Sequence, residues 1–445
     1  VLVTLVLLAV ILPGLAAPAP AGEPPPAPTP PNVVLILADD LGWGDLASYG
    51  SRLVRTPSLD RMADEGIRLT AFHSASAVCS PSRAALLTGR YPVRTGVLSV
   101  YYAESRRGLP PEEITLAEAL RELGYATAVI GKWHLGSEPA FLPTNQGFDE
   151  FLGIPFGADM SPPLLEGART IERRPDPSTL LETFTSAAVR FIDGHAEGPF
   201  FLLLAHSLPH RPFLVPEGFR GKSAGGPYGD AVEAIDWSVG EVMAALRRRG
   251  LDGRTLVIFS SDNGPDLQGS TGGLRERKDS AYEGGLRVPF LARWPGRVPE
   301  GIVSGEPVSA LDLFPTVLAA AGAGPPARLV LDGGDVLPLL TGRAATREPL
   351  LTLYFQGPFL RAARWTRWKL HVARRPPGEE TRGAARVNRW LAAPELFDLS
   401  VDAEEAYDVA PIHADVVADL KRRIRAQMET LPEPIREKNS VAMSY

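Results

Sequence analysis

Four stretches of this chain are nearly unbroken runs of apolar residues: Val33-Val34-Leu35-Ile36-Leu37-Ala38, Thr127-Ala128-Val129-Ile130, Phe200 to Ala205, and Thr255-Leu256-Val257-Ile258-Phe259-Ser260. A strand wetted on one face alternates polar with apolar, whereas an unbroken run suits a strand covered on both faces, as in parallel sheets flanked by helices. Helical patterns lie between these runs. Thr56-Pro57 opens one helix and Gly66 ends it, after which Ile67 to Phe72 reads as a strand. Thr115-x-x-Glu118 is a capping box, followed by an apolar face of Leu116, Ala119, Leu120 and Leu123 and a stop at Gly124. From Ala231 to Leu246, apolar residues from Val232 to Leu246 keep helical period, which marks a packing helix. Strands alternating with helices predict an α/β fold with a large mixed, mostly parallel sheet flanked by helices.

Each run ends in polar chemistry. Asp39-Asp40 follow the first, Lys132 and His134 the second, His206 and His210 the third, and Ser261-Asp262-Asn263 the fourth. Taken singly, an Asp pair is as well explained by turn formation, and a Lys or His by an ordinary loop. Four together concentrate beyond random scatter. They lie where open α/β sheets bind ligands, beyond the carboxyl ends of the strands.

Cys79-Ser80-Pro81-Ser82-Arg83-Ala84-Ala85-Leu86-Leu87-Thr88-Gly89-Arg90 reads as a helix entry. Ser80 can cap, Pro81 suits the first helical position and Gly89 suits the exit. Cys79 is then expected just outside the N-terminus, where free N–H groups favour an anion. Arg83, four residues on, can reach back towards it. A lone Cys is more often a small buried hydrophobe, so its own identity does not assign a role. Beyond the fourth run, Lys278-Asp279-Ser280-Ala281-Tyr282-Glu283-Gly284-Gly285 precedes a further apolar stretch at Val288-Pro289-Phe290-Leu291.

The chain has 445 residues, room for more than one domain-sized unit. Beyond Gly342 the composition changes, and Leu350 to Phe355, Phe359 to Arg364, Trp368 to Val372 and Glu395 to Leu399 read as short strands. Val417, Leu420, Ile424, Met428 and Leu431 then mark one face of a final helix. The expected division is a catalytic unit at 32–343 and a smaller C-terminal unit at 344–445, an antiparallel sheet with one helix. Val1 to Leu12 is almost wholly apolar but short for a membrane span, and small residues at Ala16 to Ala21 suit cleavage, so 1–21 is expected to be a signal peptide. Residues 22–31 are a Pro-rich tether. The net charge of −6 gives no basic excess for nucleic acid, and a single Cys excludes an internal disulfide. Asn32, Asn145, Asn263, Asn388 and Asn439 all lack the glycosylation context. Export without a stable membrane anchor, as a secreted or periplasmic bacterial protein, is the expectation.

The string from Cys79 to Arg90 closely resembles the signature of the formylglycine-dependent sulfatase family, within the alkaline phosphatase superfamily. The resemblance runs from about Asn32 to Val409 and is nearest the arylsulfatase type. It includes Leu41-Gly42-x-Gly44-Asp45-Leu46, the stretch from Gly131 to Gly136, Phe151 to Pro155, Val257 to Pro265 and Tyr282 to Gly285. It implies an alkaline-phosphatase-like fold and hydrolysis of sulfate monoesters. It also implies that a separate formylglycine-generating enzyme modifies Cys79 to Cα-formylglycine, whose hydrate is the nucleophile. Carried onto matching positions, Asp39, Asp40, Asp262, Asn263 and modified Cys79 hold one divalent cation. Hard oxygen ligands suit Ca²⁺, with Mg²⁺ second. The resemblance further implies that Arg83 steadies the diol, that His134 deprotonates it, and that Lys132, His210 and Lys278 bind sulfate oxygens. Asp262 is a candidate proton donor to the leaving oxygen, and His206 has no implied role. Two alternatives remain beside the sulfuric ester hydrolase: a phosphonate or phosphodiester hydrolase on the same scaffold, and a catalytically silent secreted binding protein. Asn263, where the phosphonate and phosphodiester enzymes tend to have His, favours sulfate esters. One departure is Gly157, which falls where the family places a sulfate-binding Ser.

Overall fold

The computed structural model describes residue 2, residues 30–374 and residues 389–440; the expected signal peptide and residues 22–29 of the expected tether otherwise lie outside these. Ten strands form the main sheet, in the order Ile302–Ser304, Ile67–Leu69, Phe290–Arg293, Thr255–Ser261, Asn32–Ala38, Phe200–Ala205, Ala126–Lys132, Glu150–Ile154, Leu164–Glu166 and Arg169–Glu172. The five from Thr255–Ser261 to Glu150–Ile154 are mutually parallel, and they include all four apolar runs. Phe290–Arg293 is antiparallel to both its neighbours.

Asn32–Ala38 is central and shows why the apolar runs are unbroken. Val33, Leu35 and Leu37 enter the core on one face, and Val34, Ile36 and Ala38 enter the core on the other. The helices Pro57–Asp64, Leu180–Gly194 and Gly226–Arg248 cover the second face. Cys79–Thr88, Leu116–Glu122 and Leu313–Ala320 pack on the first. A fully buried Val, Leu or Ile contributes roughly 1.5–3 kcal/mol relative to its exposed state, so both layers are strongly anchored.

The Thr115/Glu118 capping box forms as expected. The expected strand from Ile67 to Phe72 is instead divided. Ile67–Leu69 joins the main sheet, the chain turns at Thr70-Ala71, and Phe72–His73 pairs with Val308–Ser309 in a separate two-stranded sheet. Leu164–Glu166 and Arg169–Glu172 form the edge hairpin of the main sheet. It turns at Gly167, whose φ of 56° suits glycine, and is anchored by buried Leu164 and Leu165.

At the C-terminal end, Thr352–Gln356, Phe359–Trp365, Trp368–Arg374 and Arg389–Asp398 form a four-stranded antiparallel sheet. Helix Ala414–Met428 lays Val417, Leu420, Ile424 and Met428 into the same core. This sheet docks on the segment that follows the Cys79 helix. The Tyr91 hydroxyl donates to the Leu351 carbonyl at 3.1 Å and accepts from the Leu353 N–H at 3.0 Å. Arg94 donates to the Thr430 carbonyl at 2.6 Å. Among the described residues, no helix is long and apolar enough to cross a membrane.

Candidate active site

The carboxyl ends of the parallel strands and the start of the Cys79 helix meet at one buried cluster. Asp39 and Asp40 leave the central strand, Lys132 is the last residue of Ala126–Lys132, and Asp262 and Asn263 follow Thr255–Ser261. Gly131, with φ 116°, lets its strand run against the neighbouring one: a Cβ there would collide with the Ala205 carbonyl. Asp40 and His134 both have positive φ, 66° and 61°, a backbone strain held where side chains must be aimed.

The helix begins two residues earlier than its sequence suggests. Cys79 is its first residue, Val78 is the N-cap without a side-chain bond, and Gly89 closes it with φ 65°. Ser80 is therefore not the cap; its hydroxyl accepts the Tyr101 N–H at 3.1 Å. The Ser82 hydroxyl donates to the Asp262 carbonyl, tying the helix start to the strand end.

Asp39, Asp40, Cys79 and Asp262 converge so that one potential ligand atom from each lies within 4.8 Å of the others. The Cys79 sulfur is 3.6 Å from Asp39 Oδ1 and 4.0 Å from Asp40 Oδ1. Asn263 donates through Nδ2 to Asp40 Oδ1 at 2.7 Å, while its Oδ1 is buried without a hydrogen-bond partner. A buried, unpaired carbonyl oxygen beside three carboxylates is a donor set suited to a hard cation.

Cations ring the carboxylates. Lys132 Nζ is 2.5 Å from Asp39 Oδ2 and 3.9 Å from the Cys79 sulfur. Arg83 donates through Nε to Asp262 Oδ2 at 3.0 Å and through Nη1 to the Lys132 carbonyl at 2.8 Å. Lys278 Nζ reaches Asp40 Oδ2 at 2.6 Å, and His210 Nε2 lies 3.7 Å from the same oxygen. The structure thus brings Asp39, Asp40, Cys79, Arg83, Lys132, His210, Asp262, Asn263 and Lys278 into one network. His134 Nε2 is 2.9 Å from the Tyr101 carbonyl, which can only accept, so Nε2 carries the proton. Its Nδ1 is buried and unpartnered. His206 is buried with both ring nitrogens unpartnered, and burial lowers it to about 3, so it is neutral at ordinary pH.

The charges pull unequally. Burial raises the Asp39 carboxyl, but Lys132, His210, Arg83 and Lys278 outweigh it and hold the group well below its usual range. Asp262 goes the other way: burial raises it, Arg83 lowers it, and repulsion from Asp39 and Asp40 adds to the rise. Burial pushes the Cys79 thiol up despite Lys132 and Lys278, with Asp262 and Asp39 adding to the rise. Burial, then Lys132 and Arg83, drive His134 well below its ordinary value.

Residues 31–323 match the sulfatase family model, and residues 347–443 match the model for the C-terminal region of aryl-sulfatase. The chain belongs to the sulfatase family. It is 40% identical to arylsulfatase A of Bos taurus, over 91% of this chain and 88% of that protein. It is 37% identical to steryl-sulfatase of Mus musculus, over 79% and 71% of the respective chains. Among solved structures, the PsFucS1 sulfatase from Pseudoalteromonas sp. superposes with a TM-score of 0.82 at 27% identity, covering 91% of each chain. This sulfatase hydrolyses sulfate esters, and its alkaline-phosphatase-like fold agrees with the sequence expectation.

Sequence reasoning missed three supporting groups. The Tyr101 carbonyl that sets the His134 tautomer is a backbone atom, which no motif announces. The Ser261 hydroxyl accepts the Leu41 N–H at 2.9 Å and fixes the loop after Asp40. Asp45 accepts from Gly42 N–H and from the Tyr228 hydroxyl, bracing the same loop. Asp45 and Ser261 did carry a signal, since they lie inside the Leu41 to Leu46 and Val257 to Pro265 matches.

Proposed function

We propose that this sulfatase cleaves sulfate monoesters with a formylglycine at position 79 and one Ca²⁺ held by Asp39, Asp40, Asp262 and Asn263. The observation that carries the reading is the convergence of Asp39, Asp40, Asp262 and Cys79 within 4.8 Å, ringed by Lys132, Arg83 and Lys278. A catalytic cysteine needs its thiolate, which is favoured by a lowered pKa. Here burial and the neighbouring carboxylates oppose the thiolate, which supports modification rather than sulfur chemistry. The hydrated aldehyde supplies one oxygen for attack on sulfur and a second whose deprotonation releases sulfate. The cation supplies charge stabilisation to the oxygens it touches, and Mg²⁺ is the second choice on the same oxygen donors.

This chain's own residues do the rest. Lys132, Lys278 and His210 are proposed to meet the sulfate oxygens, where charge builds during transfer. Arg83 holds Asp262 and reaches the Cys79 helix position from one turn on. His134, neutral with a free Nδ1, is suited to accept a proton there. An anion bound between Lys132 and Arg83 would offset the two charges that depress it. Asp262 is the proposed proton donor to the departing alcohol. In this reading the unit 32–343 carries the chemistry and 344–445 buttresses the segment after the Cys79 helix. The apolar start of the chain and its Pro-rich stretch support export to the periplasm or medium, where a mature N-terminus near residue 22 is expected.

Peptide mass spectrometry across residues 74–83, with turnover of a chromogenic aryl sulfate on the same preparation, tests the reading. Activity should track the fraction of chains that have lost sulfur at position 79. Full activity in a preparation that retains the thiol would overturn it. Faster turnover of an aryl phosphodiester than of the aryl sulfate would favour the alternative chemistry.

A further inference from the structure

A cavity of about 610 Å³ lies between the two-stranded sheet of Phe72–His73 and Val308–Ser309 and the C-terminal sheet, and none of the residues of the catalytic cluster lines it. One wall is basic. Arg287, Arg364 and Arg367 line it together with His73. Arg287 gives Nε to the Thr70 carbonyl at 2.5 Å, and its Nη1 reaches Glu283 only at 3.8 Å. Arg364 gives Nε to the Thr366 carbonyl at 3.0 Å, and its Nη1 lies 2.9 Å from His73 Nε2 and 3.7 Å from Glu283. Nη2 of each has no protein partner among the described residues. The nearest carboxylate, Glu283, is already held by Lys369 at 2.9 Å and by His73 at 2.8 Å. Two guanidiniums therefore share a base that other groups have taken. Burial lowers Arg287, Glu283 raises it, and Arg364 lowers it again. The opposite wall carries Asp312, Glu306 and Glu348, but Asp312 is occupied by Arg347 and by the N–H groups of Ser309 and Gly334. Glu306 accepts the Arg347 N–H at 3.3 Å.

We propose that this cavity is a second, non-catalytic site for a small organic anion, whose sulfate or phosphate group sits between Nη2 of Arg287 and Nη2 of Arg364. Forked guanidiniums match the oxygens of such groups in pairs. Arg367, half exposed, 3.5 Å from Asp398 through Nε and stacked on Trp368 at 4.7 Å, closes the basic side. The volume equals about twenty waters at roughly 30 Å³ each, well beyond a bare oxyanion, and it falls in the range of small-molecule pockets. Leu350, Pro349, Leu399 and Tyr354 give the body of such a ligand apolar surface. The site stands independently of the catalytic reading, because it shares no side chain with the cluster around Cys79.

Crystals of the full-length protein soaked in tungstate, together with calorimetric titration with sodium sulfate and with glucose 6-sulfate, test this. An anomalous peak is expected within hydrogen-bonding reach of both Nη2 atoms. It should persist in Lys132→Ala, which disables only the catalytic cluster. Arg364→Gln should remove the cavity peak and weaken calorimetric binding at least tenfold. Arg364 also borders buried ion pairs, so Arg367→Gln is the companion variant: it should weaken binding several-fold with an unchanged melting temperature. Tighter binding of the sugar sulfate identifies an organic ligand, and equal binding identifies the free oxyanion; both support the site. Tungstate found only at the catalytic cluster, or a cavity peak and affinity unchanged in Arg364→Gln, overturns it.

Discussion

Two of the buried charge clusters among the described residues are built on opposite plans. Around Cys79, three carboxylates converge within 4.8 Å, and Asn263 Oδ1 and His134 Nδ1 are left buried without partners. Between the two sheets, Glu283 and Glu405 alternate with Lys369, and every carboxylate oxygen meets a donor. Glu283 meets Lys369 at 2.9 Å and His73 at 2.8 Å; Glu405 meets His371 at 2.6 Å, Lys369 at 3.2 Å and the Glu283 N–H at 2.6 Å. The electrostatics follow. Burial raises Glu283, yet His73 and Lys369 outweigh it and hold the carboxyl well below its usual range. In the first cluster Asp39 is lowered too, by Lys132 and the other cations, but Asp262 is raised. Burial alone does not mark a reactive site. Like charges held together with unpaired polar atoms do, because such an arrangement costs stability and persists only where something else requires it.

The sharpest test exchanges the fully buried lysine of each cluster for methionine. Lys369→Met removes the ammonium that Glu283 and Glu405 share and should cost about 3–5 kcal/mol of stability, with turnover in the surviving folded fraction within a few-fold of wild type. Lys132→Met should lower turnover of an aryl sulfate on the order of 10²–10³-fold, with a much smaller loss of stability in the presence of Ca²⁺. Denaturant melts and kcat on the same two variants decide. A Lys132→Met enzyme of normal turnover, or a Lys369→Met protein of normal stability, breaks the contrast.

Acid should strike the inter-sheet cluster. Burial lowers His73 to about 4 against Glu283, and burial also lowers His371. Unfolded histidine takes up a proton near pH 6.5, but folded His73 does not until about pH 4. The unfolded state therefore binds more protons across that window, and stability falls as the pH drops from 6.5 to 4. His73 alone accounts for about 3 kcal/mol of that loss at roughly 1.36 kcal/mol per pKa unit. His206, lowered to about 3, acts in the same direction. Unfolding transitions measured between pH 7 and pH 4.5 should show this decline, and His73→Gln should flatten it. A pH-independent midpoint would contradict the neutral buried ring.

Chelation should act only on the other cluster. A cation present at about 100 times its Kd stabilises by about 2.7 kcal/mol, or roughly 3 °C for a chain of this length. EGTA should lower the melting temperature by that amount, Ca²⁺ should restore it, and Asn263→Ala should abolish the response. Lys369→Met should keep it.

How much of this was written in the chain follows from what kind of interaction holds each part. The parallel core was legible because burial on both faces leaves an unbroken apolar run, as at Val33 to Ala38. The convergence of Asp39, Lys132, His210 and Asp262 was legible because strand ends in such a sheet share one edge. The roles at Cys79, by contrast, came from a resemblance and not from the residues' own chemistry. The inter-sheet cluster went unread because its members come from positions 73, 283, 364, 369, 371 and 405, with no common spacing. The one local hint was Lys369 and His371, two apart on a strand and so on one face. The break at Thr70-Ala71 was missed because apolar pattern reports burial and not pairing partners, which here change from one sheet to another.

The smallest effect is expected at Gly157, where the family resemblance places a serine. Its φ of −61° and ψ of 145° are open to any residue, so the backbone does not demand glycine. What fills the space is a side chain: a Cβ at 157 would collide with Asp159 Oδ1 and approach Met160 Cε at 3.1 Å. Asp159 is exposed and can swing away, since the contact is the far end of a flexible side chain. Gly157→Ser should therefore fold with a stability change below about 1 kcal/mol. With Asp159 still in place, it should alter kcat/KM for an aryl sulfate by less than about threefold, under 0.7 kcal/mol. Adding Asp159→Ala should free the hydroxyl to turn into the site, and a drop in KM seen only in the double variant would show that the two positions compete for one space. A single Gly157→Ser change that already lowers KM as far would show that Asp159 does not stand in the way.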